Sequence, residues 1–267
     1  MNGITINVDP MIGHFGPFMP TWYGLLVAFA ILAGGWLGLR EARRKGIDVE
    51  KMQSLILWGL LGGFVGARLF HVVDRWDLYA EDPISALYVW EGGLAIYGGL
   101  IGGVLAGLLY AWRSGLPFWR VADAAAPGMI LGQGLGRLAC IPNGDALGAP
   151  TDVPWAFVYT NPNSMVTPDL LGTPLHPYPV YELLFDFALL GFLWRMRSAY
   201  KADGLLFLTY AGLYAIGRFA LTFFRTEQVW FLGLQEAQVV ALIVLILTVP
   251  LLAWRMQASR VPRRQPA

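Results

Sequence analysis

A single cysteine, Cys140, stands among the 267 residues of this chain. One thiol excludes an intrachain disulfide and any metal site built on several thiolates. Charge is the second scarcity. Asp, Glu, Lys and Arg make up 14% of the residues, against about 25% in soluble domains. The net charge of +1 gives no sign of a nucleic-acid partner, and none is expected. Lysine is rarer still, with only Lys45, Lys51 and Lys201. Met1 to Pro20 lacks a basic start, an apolar core and a small-residue cleavage site, so no removable signal peptide is expected. No inverted repeat and no low-complexity tract is visible.

Apolar runs take the place of the missing charge. The chain is 56% hydrophobic with a mean hydropathy of +0.52. Seven segments, at 20–39, 54–73, 92–112, 121–141, 178–195, 204–224 and 235–254, are long enough to cross about 30 Å of hydrocarbon. They predict an all-α integral membrane protein with seven transmembrane helices, a single membrane domain over residues 1–267. Eleven Trp and eleven Tyr suit the two membrane–water interfaces. Thirty-two Gly suit helices that must approach closely with no hydrophobic effect to join them.

The basic residues orient the spans. Arg40, Arg43, Arg44, Lys45 and Lys51 fall in the first loop, and Arg113 and Arg120 in the third. Arg195, Arg197 and Lys201 occupy the fifth, and Arg255, Arg260, Arg263 and Arg264 the tail. These are fourteen of the nineteen basic residues, all on one side, which the positive-inside rule makes cytoplasmic. The N-terminus is then outside and the C-terminus cytoplasmic. Residues 143–177, rich in Pro, Gly, Asn, Thr and Asp, read as a small, largely irregular extracytoplasmic head between spans four and five. The five other basic residues, Arg68, Arg75, Arg137, Arg218 and Arg225, lie in spans or on the outer side.

Those exceptions carry the chemistry. In the fourth span Gly128, Gly132 and Gly136 recur four apart, a smooth stripe for a packing helix, and Arg137 follows. An arginine near the end of an apolar span is costly unless it snorkels or finds a partner. Snorkelling and anion binding are both open for Arg137. In the sixth span Tyr214, Arg218 and Thr222, with Arg225 a turn beyond, fall on one helical face. Arg218 lies deep in an apolar run and needs an acid, a water-filled cavity or an anionic ligand. Glu182 and Asp186, four apart on the fifth span, could pair with the arginines. A guanidinium fork also matches phosphate, which points to a phospholipid head group in the outer half of the membrane.

Three further positions read two ways. Tyr97, in Trp90-Glu91-Gly92-Gly93 followed by Tyr97-Gly98-Gly99, is either an interfacial-belt tyrosine or a phenol with room beside a ligand. Tyr23, in Trp22-Tyr23-Gly24, has the same two readings. Pro142 is expected to end the fourth helix, and the Asn143-Gly144-Asp145 turn to bring Asn143 and Asp145 back towards Arg137. Cys140 reads as a small packed residue rather than a nucleophile.

The ordered set Trp22-Tyr23-Gly24, Gly66-Ala67-Arg68, Trp90-Glu91-Gly92-Gly93, Tyr97-Gly98-Gly99 and Gly136-Arg137 resembles the prolipoprotein diacylglyceryl transferase family. Asn143-Gly144-Asp145 with Gly148, Pro150-Thr151-Asp152, His176-Pro177, Tyr181-Glu182, and Tyr214 with Arg218 and Arg225 extend the resemblance. It runs from the first span to the end of the sixth. The resemblance implies a bacterial inner-membrane enzyme with seven spans and an outward-facing head. Such enzymes transfer the diacylglyceryl group of phosphatidylglycerol to the lipobox cysteine of a preprolipoprotein, giving a thioether and glycerol 1-phosphate. Partners would be phosphatidylglycerol, the signal-peptide lipobox segment and membrane lipids; no cofactor and no metal is expected.

By resemblance Arg137 stands for the family's phosphatidylglycerol-binding arginine and Arg218 for its other indispensable one. Tyr23, Tyr214 and Gly148 fall on functional positions. The expected catalytic set is Arg137, Arg218, Tyr97 and Asp145. The expected substrate-binding set is Tyr23, Arg68, Asn143, Gly148, Glu182, Tyr214 and Arg225. The chain departs from the family pattern at four places: Cys140 replaces Asn, Asp145 replaces Glu, Tyr97 replaces His and Thr222 replaces Glu.

Three rival readings use the same features. An anion or lipid transporter would also bury arginines, yet would bring repeated halves and broken helices, which are not seen. A retinal-type photoreceptor needs a lysine in a span, and all three lysines lie in cytoplasmic loops. A divergent paralogue would keep the fold and modify another acceptor.

Overall fold

The computed structural model describes residues 3–13, 19–89, 92–226 and 229–258. Trp90 and Glu91, and Arg260, Arg263 and Arg264 of the basic tail, lie outside the described residues. Within them run seven α-helices: α1 (Trp22–Arg44), α2 (Val49–Asp74), α3 (Ile96–Arg113), α4 (Phe118–Asn143), α5 (Tyr178–Met196), α6 (Leu205–Leu221) and α7 (Glu236–Ala258). Five of these, α1, α2, α3, α6 with its extension to Phe224, and α7, are long and apolar enough to cross a membrane. In the other two, charge interrupts the apolar run: Arg120, Asp123 and Arg137 in α4, Glu182 and Asp186 in α5. The helices carry large apolar side chains on their outer surfaces, among them Leu32 at 72%, Val73 at 75% and Ile246 at 71% exposure. Such a surface needs hydrocarbon around it; the protein is a multi-pass membrane protein.

The helix ends refine the expected spans. Asp48 caps α2 by accepting from the Glu50 and Lys51 amides, so the helix begins at Val49, before the apolar run. α3 begins at Ile96 rather than at 92, because Gly92 (φ 92°) and Gly93 (φ 79°) hold backbone angles no helix accepts. Pro142 does not end α4. It sits in the last turn, and the helix closes one residue on, where Gly144 (φ 75°) donates its amide to the Cys140 carbonyl at 2.9 Å, a left-handed glycine stop.

The described chain divides into two compact units, Met1–Gly38 with Ala125–Ala267, and Leu39–Ala124. In the second unit α2 and α3 run antiparallel with glycines face to face. A Cβ on Gly62 would lie 2.7 Å from the Gly102 carbonyl oxygen, and one on Gly66 2.9 Å from the Gly102 Cα. The same unit holds two ion pairs on buried carboxylates, Glu41 with Arg44 at 2.7 Å and Asp123 with Lys45 at 3.1 Å.

In the first unit α1 and α4 approach through the expected stripe. A Cβ on Gly34 would meet the Gly128 carbonyl oxygen at 2.6 Å and the Gly132 Cα at 3.5 Å. Gly136 faces open space and takes no part. Ala126, Ile130, Leu189, Leu193, Leu206 and Tyr210 form the core joining α4, α5 and α6. The head is more ordered than its composition suggested. Strands β1 (Ile4–Ile6), β2 (Phe157–Tyr159) and β3 (Pro174–Leu175) make a three-stranded sheet. β1 is parallel to β2 and β3 antiparallel to it, over a core of Phe157, Tyr159, Val166 and Leu175. The segment before α1 therefore supplies the head's edge strand. A hairpin of β4 (Val229–Phe231) and β5 (Leu234–Gln235) precedes α7.

Candidate active site

α5 presents Tyr178, Glu182 and Asp186 at successive four-residue steps, so all three share one helical face. All three are buried, at 0%, 1% and 0% exposure. A buried carboxylate needs partners, and Glu182 has three. Its Oε1 accepts from the Arg137 guanidinium of α4 at 2.7 Å and from the Tyr214 hydroxyl of α6 at 3.2 Å. Its Oε2 accepts from the Arg218 guanidinium of α6 at 2.7 Å. The two arginines are less covered than the acid they share. The Arg137 side chain is 23% exposed and that of Arg218 20%, against 1% for Glu182. The carboxylate is the sealed floor, and the guanidiniums stand above it with surface of their own.

The alternative in which Glu182 and Asp186 each pair with an arginine holds for Glu182 only. Both oxygens of Asp186 are buried with no hydrogen-bond partner among the described residues. The contacting trio of Arg137, Glu182 and Arg218 thus combines two cationic groups with one carboxylate. It suits a ligand bearing a single negative charge, and a phosphodiester is such a group.

Other expected residues gather around this trio. Tyr23, at the start of α1, lies within electrostatic reach of Arg137, Asp145 and Cys140. Arg137 also donates to the Cys140 sulfur at 3.9 Å. Cys140 itself is buried, packed with Ala146 and Tyr178. Asp145 is exposed just past the helix end. Asn143 turns elsewhere: its amide nitrogen donates to the Met165 sulfur at 3.2 Å, and its carbonyl accepts from the Met165 amide at 2.9 Å. It fastens the head to the end of α4, so the turn brings Asp145 into the neighbourhood of Tyr23 and Cys140 but not the Asn143 side chain to Arg137.

The expected single face of α6 holds for Tyr214 and Arg218, which meet at Glu182. It fails beyond them. The Thr222 hydroxyl bonds back to the Arg218 carbonyl at 2.6 Å, the i−4 habit of threonine. The chain then leaves the α-helix as a 3-10 turn over Thr222–Phe224. Arg225 follows in extended backbone and reaches Tyr178 from outside the helix, its guanidinium carbon 4.8 Å from the ring centroid. Its backbone pairs with Gly148. Gly148 has no room for a side chain, since a Cβ there would lie 2.5 Å from the His176 Cβ.

Tyr178 was not among the expected site residues. Its hydroxyl accepts from Arg218, and its ring lies under Arg225. The signal was its place four residues before Glu182, but an aromatic residue at the start of an apolar helix ordinarily signifies packing or an interface. Two expected residues belong to the other unit. Tyr97, at the start of α3, is 46% exposed. The glycine beside it, Gly98, serves the contact with Gly66 rather than making space for the phenol. Arg68 is buried at 7% exposure and donates to the backbone carbonyls of Ser85, Ala86, Tyr88, Gly92 and Gly93. No cluster of three or more His, Cys, Asp or Glu that could hold a metal occurs among the described residues.

Comparison with known proteins identifies the family. The family model for prolipoprotein diacylglyceryl transferase matches residues 10–254. A phosphatidylglycerol–prolipoprotein diacylglyceryl transferase of Nostoc sp. is 37% identical over 252 residues, 92% of this chain and 88% of that protein. The enzyme of the same name from Thermosynechococcus vestitus is 38% identical over 229 residues, 85% of each chain. That from Bacillus licheniformis is 34% identical over 272 residues, 99% of this chain and 98% of its own.

Proposed function

The chain belongs to the prolipoprotein diacylglyceryl transferase family, and from that premise we propose that it moves the diacylglyceryl group of phosphatidylglycerol onto the lipobox cysteine thiol of preprolipoproteins. The observation that carries the proposal is the pair of partly exposed guanidiniums, Arg137 and Arg218, sharing one sealed carboxylate, Glu182. In this reading a lipid phosphodiester settles against both arginines from the membrane side. Its single charge balances the trio.

The reaction is a displacement at the glycerol carbon that bears the phosphate. The cysteine sulfur forms a bond to that carbon as the carbon–oxygen bond breaks. The electron pair leaves with the oxygen, and glycerol 1-phosphate departs. A free thiol has a pKa of about 8.5, so the cationic pair also favours the thiolate that attacks. As charge builds on the departing phosphate, Arg137 and Arg218 already point at it, which is the economy of a preorganised site. Holding lipid and peptide together converts an encounter into a positioned reaction. Asp145 and Tyr97 are the proposed groups for orienting the thiol or taking its proton. Tyr23, Tyr214 and Arg225 are proposed to border the head group, with Glu182 holding the arginines and Asn143 and Gly148 shaping the loop beside them.

The same reading places seven spans in the bacterial inner membrane, N-terminus outside and C-terminus cytoplasmic, as a single membrane domain with residues 143–177 as its extracytoplasmic head. The direct experiment mixes purified protein, phosphatidylglycerol and a lipobox peptide. Mass spectrometry should find a diacylglyceryl adduct on the peptide cysteine and an equal amount of glycerol phosphate. Arg137→Ala and Arg218→Ala should each abolish the adduct while remaining inserted and folded. Substantial transfer by either folded variant would refute its assigned role.

A further inference from the structure

Arginine carries five N–H donors in a fixed planar fork, and in Arg68 every one is already engaged. Nε donates to the Ala86 carbonyl at 2.8 Å. One terminal nitrogen donates to Gly92 and, at 3.0 Å, to Gly93. The other donates to Ser85 at 3.1 Å and Tyr88 at 3.3 Å. The Tyr79 ring lies beside the fork, its centroid 5.4 Å from the guanidinium carbon. The neighbouring residue completes the hold, since the Ala67 carbonyl accepts from the Ala95 amide at 3.0 Å.

The sequence supports this cage from both ends. Gly92 and Gly93 have positive φ, a backbone that other residues rarely adopt, and it turns two successive carbonyls onto one nitrogen of Arg68. A Cβ on Gly93 would lie 2.5 Å from the His71 Nε2 and 2.8 Å from Arg68 itself. Gly66-Ala67-Arg68 and Gly92-Gly93, remote in sequence, are the two halves of one clamp. An arginine so committed could reach a phosphate only by abandoning buried carbonyls, each of which is costly to leave unpaired.

We propose that Arg68 is a positioning residue for the transfer reaction, pinning the carbonyls of Ser85, Ala86, Tyr88, Gly92 and Gly93 so that α3 starts at Ile96 and holds Tyr97 in one orientation. This replaces the expectation that Arg68 binds substrate, and it rests on the transferase reading through Tyr97 alone. Lysine cannot substitute, because a point-charged ammonium with three donors does not span five carbonyls.

The test uses full-length protein in lipid nanodiscs, with Arg68→Lys, Tyr97→Phe, the double variant and Gly93→Ala, which breaks the clamp from the loop side with Arg68 intact. Hydrogen exchange over residues 84–95 without added substrate reads the clamp. Transfer kinetics with varied phosphatidylglycerol read its consequence. We expect loop exchange to rise roughly tenfold or more in Arg68→Lys and in Gly93→Ala as local opening becomes easier. In both, kcat should fall about tenfold or more with KM for the lipid changed less than about threefold, the split that distinguishes lost positioning from lost binding. The double variant should be no slower than the slower single variant, the non-additivity of residues acting as one unit.

Unchanged loop exchange with a raised KM in Arg68→Lys would make Arg68 a phosphate ligand and overturn the proposal. Looser exchange with unchanged kcat would leave a merely structural clamp, and additive losses would remove Tyr97 as the intermediary; either result overturns it too. Absence of transfer by the wild-type protein would instead defeat the transferase reading, while the exchange data would still report on the clamp.

Discussion

Glu182 is the residue on which the candidate centre turns, because three donors from two other helices converge on its carboxylate. Thr222 shows why the acid must come from α5. Its hydroxyl is turned back onto the Arg218 carbonyl, so α6 supplies no counter-charge of its own there. Replacing Glu182 by Gln keeps the shape but removes the charge and presents an amide NH2 to one of the arginines. Two largely buried guanidiniums would then lose their shared anion. Removing one partner of a buried pair costs about 3–5 kcal/mol, toward the lower end here because the arginines retain some exposure. A clear fall in the thermal midpoint of the detergent-solubilised protein is expected, together with loss of transfer. A Glu182→Gln protein as stable and active as wild type would show that the guanidiniums do not depend on this carboxylate.

Between helices, glycine rather than greasy side chains sets the spacing. Along α2 and α3, Gly59, Gly62, Gly63 and Gly66 face Gly98, Gly99, Gly102 and Gly103 at backbone-to-backbone distance. Lipid tails are as apolar as leucine, so close backbone contact is what remains to bring helices together. Gly62→Leu would drive a side chain into the Gly102 carbonyl and the Ala106 Cβ. Overpacking of this kind ordinarily costs about 1–3 kcal/mol and, against a rigid backbone, should exceed that range. The expected result is poor accumulation in the membrane and early thermal aggregation. At Gly107, where a Cβ would meet nothing within 4 Å, the same substitution should be tolerated, which makes it the control.

For the molecule as a whole, the proposed orientation rests on the distribution of arginine and lysine. It predicts opposite sides for the α1–α2 turn at Gly46 and the head at Asp169. Single cysteines placed at each position in a Cys140→Ser background provide the test with a membrane-impermeant maleimide on intact spheroplasts. Asp169→Cys should label at once, and Gly46→Cys only after permeabilisation. The reverse pattern would invert the topology and place the arginine centre in the wrong leaflet for an extracytoplasmic lipobox.

Much of this was legible from local chemistry. A run of about twenty apolar residues is long enough to cross hydrocarbon whatever its neighbours do, so seven helices could be counted before their packing was known, five of them apolar enough to span. Arg137 and Arg218 were conspicuous because a guanidinium in an apolar run demands a reason. The head looked irregular because its strands are two or three residues long and one comes from the distant segment before α1. Which carboxylate serves which arginine was not legible, because it depends on how three helices are rotated against one another. Composition counted Glu182 and Asp186 alike, yet packing gave the first both arginines and the second none. The surroundings of Arg68 were hidden for a related reason. A sequence displays side-chain acids and hides backbone carbonyls, and only a folded loop can aim five of those at one guanidinium.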